Sequence, residues 1–155
     1  SLGKTKKDIY EILDWIIPEL DERPRHMLGI GWIDDIFECV SRGIDTFDCV
    51  EMTRIARHGN LYVSPSSGGN VKNKFRISID SPKSDTNQKI DKECKCPTCK
   101  KYTRKQLRKI AKSKNPEYGR LATIHNVSFM LSLTEKIRQS IKNGTFQKLK
   151  KEWIN

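Results

Sequence analysis

Three of the five cysteines in this 155-residue sequence crowd into six positions, Cys94-x-Cys96-x-x-Cys99, and His125 follows further on. Three thiolates and one imidazole can close a tetrahedron around Zn²⁺, the usual arrangement of a structural site. With four protein ligands no coordination position stays open, so such a metal would hold the fold and not do chemistry. The thiolates leave net negative charge on the centre, and Lys92, Lys95, Lys100 and Lys101 stand alongside to offset it. Spacing alone leaves His125 open: it is either the fourth ligand or an ordinary histidine at a helix start. His26 and His58 have no comparable setting. Cys39 and Cys49 complete an odd set, which argues against a disulfide framework and for a reducing, cytosolic compartment.

A second group of reactive side chains lies upstream. Asp45 and Asp48 stand near the end of an apolar run, Ile44 to Val50. A carboxylate at the C-terminal end of a parallel strand can be a nucleophile, a base or a metal ligand, although an isolated Asp is more often a solvated strand end or a cap. Arg54 and Arg57, three apart and followed by Gly59, suit a loop that holds phosphates or bases.

The elements that must position these groups follow from periodicity. Ile9, Ile12, Leu13 and Ile16 give a helix over 5–17 one apolar face, with Thr5 and Asp8 as a shortened capping box and Pro18 as its stop. Met27 to Ile30, closed by Gly31, reads as a buried strand. Asp34 and Asp35 suit a helix N-terminus, and Ile36, Phe37 and Val40 carry that helix to a cap at Gly43. Residues 44–50 read as a strand again. Helix, strand, helix, strand predicts a parallel α/β sheet or barrel, and two strands cannot complete one. Beyond residue 51, short strands are expected at 61–63 and 75–79 around a Ser/Gly-rich loop, then an irregular polar stretch over 80–93. Helices are expected at 104–113, 126–142 and 146–153, the last with Phe146, Leu149 and Trp153 on one face.

Charge divides the sequence unevenly. Residues 1–51 carry 6 Lys/Arg and 12 Asp/Glu, a net of −6, and residues 52–155 carry 24 against 7, a net of +17. A polyanion partner facing the second part is one reading, a lysine-rich proteome the other. No run of apolar residues is long enough to span a membrane and no secretory leader is visible. The sequence begins with Ser, which suggests a piece of something longer.

Taken together, Arg42–Val50 (RGIDTFDCV), Thr53–Gly59 (TRIARHG), Cys94–Cys99 (CKCPTC) and Thr123–Asn126 (TIHN) resemble the tRNA-guanine transglycosylases, or queuine tRNA-ribosyltransferases. The upstream stretch 23–31 (RPRHMLGIG) resembles the strand-turn before their catalytic strand. The likeness covers the whole chain but only the C-terminal part of the family enzyme. It implies the C-terminal portion of a (β/α)₈ TIM barrel with an inserted zinc-binding subdomain: last barrel units with the catalytic strand over 1–51, RNA-binding loop and zinc subdomain over 52–125, and C-terminal helices over 126–155. The implied reaction exchanges the wobble guanine of certain tRNAs for a 7-deazaguanine such as preQ1 or queuine. Asp48 matches the nucleophile that holds the ribose covalently. Leu28 and Gly29 match base contacts, Arg54 and Arg57 anticodon-loop contacts, and Cys94, Cys96, Cys99 and His125 the ligands of one structural Zn²⁺. The implied partners are tRNA, the base, and the N-terminal part of the barrel or a partner subunit, in a cytoplasmic homo- or heterodimer. The sequence departs from the family at Glu51-Met52, which replace an apolar residue and a proline, and in a longer loop at 64–70. The family's general acid/base aspartate and most of its base pocket lie upstream of the matched part. A non-catalytic, zinc-containing RNA-binding or accessory subunit is the alternative, and the retained Asp48 and arginines favour the enzyme. A stand-alone zinc-ribbon nucleic-acid binder would leave the helix–strand half unexplained.

Overall fold

The computed structural model describes residues 5–154. The chain divides into two compact units between Val50 and Glu51, and each has its own architecture.

The first unit begins with α1 (Lys6–Ile16). The Thr5 side chain accepts from the Asp8 amide, and Asp8 accepts from the Thr5 amide, a complete capping box. Pro18, which lacks an N–H, ends the α-helix in a short 3-10 turn over Ile17–Glu19. Next come β1 (His26–Leu28), α2 (Ile33–Ser41) and β2 (Thr46–Asp48). The strands run parallel, with His26 opposite Thr46, Met27 opposite Phe47 and Leu28 opposite Asp48. This is the strand–helix–strand crossover of α/β folds. Alternation decides the faces. Met27 is buried with Leu13, Cys39 and Ile44, and Phe47 packs against them. His26, Leu28, Thr46 and Asp48 form the opposite, exposed face.

Both strands are shorter than their apolar runs. Gly29 takes φ +75, a left-handed turn that suits glycine, and ends β1 two residues before Gly31. At the other strand the Ile44 amide turns back to the Cys39 carbonyl (3.1 Å), so pairing with β1 begins only at Asp45 and Thr46.

The second unit is built on α6 (Glu117–Lys142), 26 residues and about 39 Å long. Against it pack α3 (Glu51–Arg57), β3 (Asn60–Tyr62), α4 (Pro97–Lys101), α5 (Arg104–Lys112) and α7 (Phe146–Ile154), and β4 (Arg76–Ser78) pairs antiparallel with β3. Ala56, Leu61, Ile79, Ile90, Leu107, Leu121 and Ala122 form its core. Tyr62 stacks on Phe129 at 5.5 Å, and Phe129 meets Trp153 edge-on at 6.2 Å. Two expectations need correction. Arg54 and Arg57 lie on a helix, not in a loop: Glu51 in the first turn and the arginines in the last both suit the helix dipole, while Ile55 and Ala56 are buried. The long helix starts at Glu117 and not near 126, so His125 sits two turns inside it. Gly119, Thr123 and Ile124 are weak helix formers, and the burial of Tyr118, Leu121 and Ala122 overrides that preference. Residues 80–93 also hold more structure than their polarity suggests, with a 3-10 turn at Pro82–Ser84 and fully buried Ile90 and Asp91. No described helix is long and apolar enough to cross a membrane.

Candidate metal centre and strand-end carboxylate

Cys96 caps α4 and accepts from the Cys99 amide (3.3 Å), which folds the knuckle so that both sulfurs face inward. Cys94 enters from the preceding turn and His125 from α6. The four ligand atoms lie within 4.8 Å of one another. His125 Nδ1 stands 3.6, 3.7 and 3.3 Å from the sulfurs of Cys94, Cys96 and Cys99. Metal bonds of about 2.3 Å to sulfur and about 2.0–2.1 Å to nitrogen, at tetrahedral angles, would put nitrogen roughly 3.5–3.6 Å from each sulfur. The set therefore fits one tetrahedral metal ion. Its electrostatics point the same way. Hydrogen bonds from Cys94 and Cys99 draw the Cys96 thiol down towards its thiolate, while Cys94 and Cys96 push Cys99 up. Burial alone would lower the His125 imidazole, but the Cys94 and Cys96 sulfurs and the Tyr62 carbonyl outweigh it and raise it to about 9. The pocket favours a positive centre among its sulfurs.

Outer residues fix the ligands. His125 is fully buried, and its Nε2 donates to the Tyr62 carbonyl at 2.8 Å, which leaves the Nδ1 lone pair for the metal. Asp91 organises the Cys94 arm. One carboxylate oxygen accepts from the amides of Glu93 and Cys94, both at 3.0 Å, and the other from the Ser64 amide and hydroxyl, both at 2.6 Å. Burial pushes this carboxyl up, but those hydrogen bonds outweigh it and hold it below the usual range. Asn126, also fully buried, accepts from the Tyr62 amide (3.0 Å) and donates to the carbonyls of Met52 and Asn60 (3.1 and 3.0 Å). Adjacent residues on α6 thus supply a ligand and the staple that holds β3.

In the first unit, Asp48 ends β2 with its carboxylate largely exposed. The Gly29 amide donates to its side chain at 3.2 Å and to its backbone carbonyl at 2.9 Å. His26 Nε2 lies 3.5 Å away, while His26 Nδ1 meets the Thr46 hydroxyl at 2.8 Å. Leu28, cross-strand from Asp48, is 74% exposed, an unusual place for a leucine. Asp45 is different: its carboxylate accepts from the Arg25 amide at 2.8 Å, a structural tie at the other end of the strand.

The profile of the family described as queuine tRNA-ribosyltransferase matches residues 1–155, all of the sequence. The chain belongs to that family. A protein of Archaeoglobus fulgidus, provisionally given that name, is 51% identical over 99% of this chain and 39% of its own length. Queuine tRNA-ribosyltransferases of Roseiflexus and Caldanaerobacter subterraneus are 38% and 39% identical, again over 99% of the chain and 38–39% of their own length. The chain spans about two-fifths of these relatives. Of the residues that the queuine tRNA-ribosyltransferase resemblance singles out, the structure brings Cys94, Cys96, Cys99 and His125 together, and it places Leu28, Gly29 and Asp48 together at the ends of two paired strands. Arg54 and Arg57 sit exposed on α3. Sequence reasoning missed Asp91, Asn126 and Tyr62. An Asp three residues before a Cys-x-Cys, and an Asn directly after a ligand histidine, were the signals available.

Proposed function

We propose that this chain carries the nucleophile, the RNA-contacting arginines and the zinc-bearing subdomain of a tRNA-guanine transglycosylase, its strand pair forming the C-terminal part of a (β/α)₈ barrel. The observation that carries the reading is Asp48: an exposed carboxylate at the C-terminal end of a parallel strand, aimed by the Gly29 amide and flanked by exposed Leu28. Active sites of such barrels gather at that end.

A carboxylate needs no activating base to attack the oxocarbenium-like C1′ of a ribose. An oxygen of Asp48 bonds to C1′ while the bond from C1′ to guanine breaks, and the leaving base takes up a proton. An incoming 7-deazaguanine then attacks C1′, gives up its proton and frees the carboxylate. Covalent catalysis replaces one difficult substitution by two easier ones. The proton donor and acceptor belong to the upstream barrel residues of the family enzyme. The target nucleotide must leave its stack to reach the strand end. Leu28 would then pack on a base, and covering a leucine side chain is worth about 1.5–3 kcal/mol. Arg54 and Arg57 would hold nucleotides of the anticodon loop. Zn²⁺ is the metal that suits Cys94, Cys96, Cys99 and His125, and it contributes folding free energy and no step of the reaction.

The test supplies the N-terminal part of a family barrel, fused or in trans, with tRNA and a 7-deazaguanine, and looks for a denaturant-resistant protein–RNA adduct. Asp48→Asn should abolish the adduct and leave tRNA affinity within a few fold. Asp45→Asn should keep the adduct, because the amide oxygen can still accept from Arg25. An adduct that survives Asp48→Asn would sink the assignment.

A further inference from the structure

The Ser/Gly-rich loop at 64–70 has no part in the reaction above, yet its shape is tightly specified. Pro65–Ser67 form a 3-10 turn closed by Gly68 at φ +94. Gly69 donates to the Ser64 carbonyl at 2.9 Å and lies so close to the strand end that a Cβ would stand 2.0 Å from the Val63 oxygen. Asn73 ties the far side through the Gly68 carbonyl at 2.8 Å. Facing this loop are residues 88–92 and the start of α5. Between them lies an open concavity of about 470 Å³, with Ser66, Ser67 and Gly68 on one wall and Lys89, Lys92 and Arg104 on the other.

The lining chemistry is one-sided: three cations, serine hydroxyls, no carboxylate and no aromatic ring. Arg104 is held rigid, its Nε and Nη2 donating to the backbone carbonyls of Lys89 and Ile90 at 2.8–3.2 Å. Neutral carbonyls do not balance its charge, and although Asp91 and Cys99 attract it, no carboxylate pairs with it directly among the described residues. The nearby acids are bonded to neighbouring groups, Asp91 with Ser64, Ser67 and two amides, and Glu93 with Ser66 and Lys136. Lys89 and Lys92 are exposed and make no ion pair among the described residues. Three like charges around one hollow repel one another, and an anion relieves that repulsion. Without an aromatic ring the hollow offers no platform for a base. Cations and a turn of backbone suit a sugar-phosphate.

We propose that this concavity binds a phosphodiester of the tRNA backbone, a contact separate from the arginines of α3. The polymer rests on the transglycosylase reading; the anion does not. Two arms of one experiment separate them. Fluorescence-anisotropy titrations with an anticodon stem-loop at several salt concentrations compare Lys89→Gln/Lys92→Gln with Lys142→Gln/Lys151→Gln, which removes the same charge from α6 and α7. Both pairs should keep the wild-type metal content and melting temperature. The first pair should bind about tenfold more weakly at low salt, with the slope of log K against log salt reduced by about 1.5. The control pair should change affinity by less than about twofold. Equal losses in the two pairs would mean net charge alone and would overturn the site. In the second arm, inorganic phosphate is titrated and amide chemical shifts are followed. Shifts confined to Gly68, Lys89 and Lys92 uphold the anion site even if no RNA binds, in which case the transglycosylase reading is what falls. No shift at those amides together with no RNA effect of the lysine pair overturns the inference.

Discussion

Replacing Asp91 by asparagine should unseat the Cys94 arm of the metal centre. Asp91 and Ser64 are 1% and 2% exposed, so water cannot make good what the substitution removes. The carboxylate accepts at least two hydrogen bonds on each oxygen. Asparagine has one acceptor oxygen. If that oxygen keeps the amides of Glu93 and Cys94, its NH₂ meets Ser64. The Ser64 hydroxyl can rotate to accept from it, but the Ser64 amide is left facing a donor. The loss is at least one charge-assisted hydrogen bond, about 1.5–3 kcal/mol, plus a buried orphan N–H at about 1–3 kcal/mol. Together that is roughly 2.5–6 kcal/mol, or a drop in melting temperature of about 5–24 °C for a chain of this size. Because Cys94 is held through its own amide, metal affinity should also fall, by roughly 10–100-fold as for other outer-shell partners.

Two measurements check this: a thermal melt at saturating Zn²⁺, and competition for the metal with a chelator. Ser64→Ala is the comparator. It removes the hydroxyl bond and keeps the amide bond, so it should cost only that one charge-assisted bond, about 1.5–3 kcal/mol, with no buried N–H orphaned. An Asp91→Asn protein that melts within about 2 °C of wild type with unchanged metal affinity would refute the account. So would a Ser64→Ala protein that loses as much as Asp91→Asn.

The other perturbations are simpler. His125→Ala should lose bound metal and melt at least as low as Cys96→Ser, because it also empties a fully buried site and strands the Tyr62 carbonyl; metal content equal to wild type would contradict this. Gly69→Ala should destabilise the second unit by about 2–4 kcal/mol, since its Cβ would collide with the Val63 carbonyl; a melting temperature unchanged from wild type would show that the loop yields. In the first unit, burial lowers the Lys6 ammonium, but Asp34 and Asp35 outweigh it and raise it; burial and the 2.5 Å bond to Asp35 raise the Tyr10 phenol. Raised values mean that these contributions are complete below the ordinary values near pH 10 and are lost as pH climbs past the folded ones. Melts by circular dichroism should therefore fall from about pH 9 to about pH 12, less steeply in Tyr10→Phe, and equal slopes in the two proteins would count against the pair.

Local spacing carried more of this protein than long-range packing did. The three cysteines could be read because a knuckle is a local object, and the order helix, strand, helix, strand because apolar periodicity is local too. What escaped depends on partners far away in sequence. Asp91 lies in a stretch that looks like a solvated loop, and only the turn around Ser64 makes it a buried hub. Asn126 has no periodicity to betray it; its worth lies in backbone groups of Met52, Asn60 and Tyr62. The helix that holds Arg54 and Arg57 is seven residues long, too short to stand without tertiary support and too short for a period to declare itself. At the start of α6, weak local preference hid two turns that packing restores.

Asp45 and Asp48 show how much a few residues of context decide. Both are exposed aspartates of one apolar run, three positions apart, and side-chain type alone cannot rank them. β2 is only three residues long, and they fall at its two ends: Asp45 just before Thr46, Asp48 as the last residue. Asp45 spends its carboxylate on the Arg25 amide, where β1 and β2 begin to pair. Asp48 sits where they finish, and its carboxylate accepts from the amide of Gly29, whose left-handed φ turns the chain away after Leu28. Shortening the strand to three residues is therefore what separates the two roles. Had pairing run through Ile44 to Val50, as the apolar pattern suggested, both carboxylates would lie inside a ladder. The Gly29 turn and the helix-bound Ile44 amide trim the pair so that one carboxylate ties the entry and the other lies exposed at the exit, the end at which parallel barrels do their chemistry.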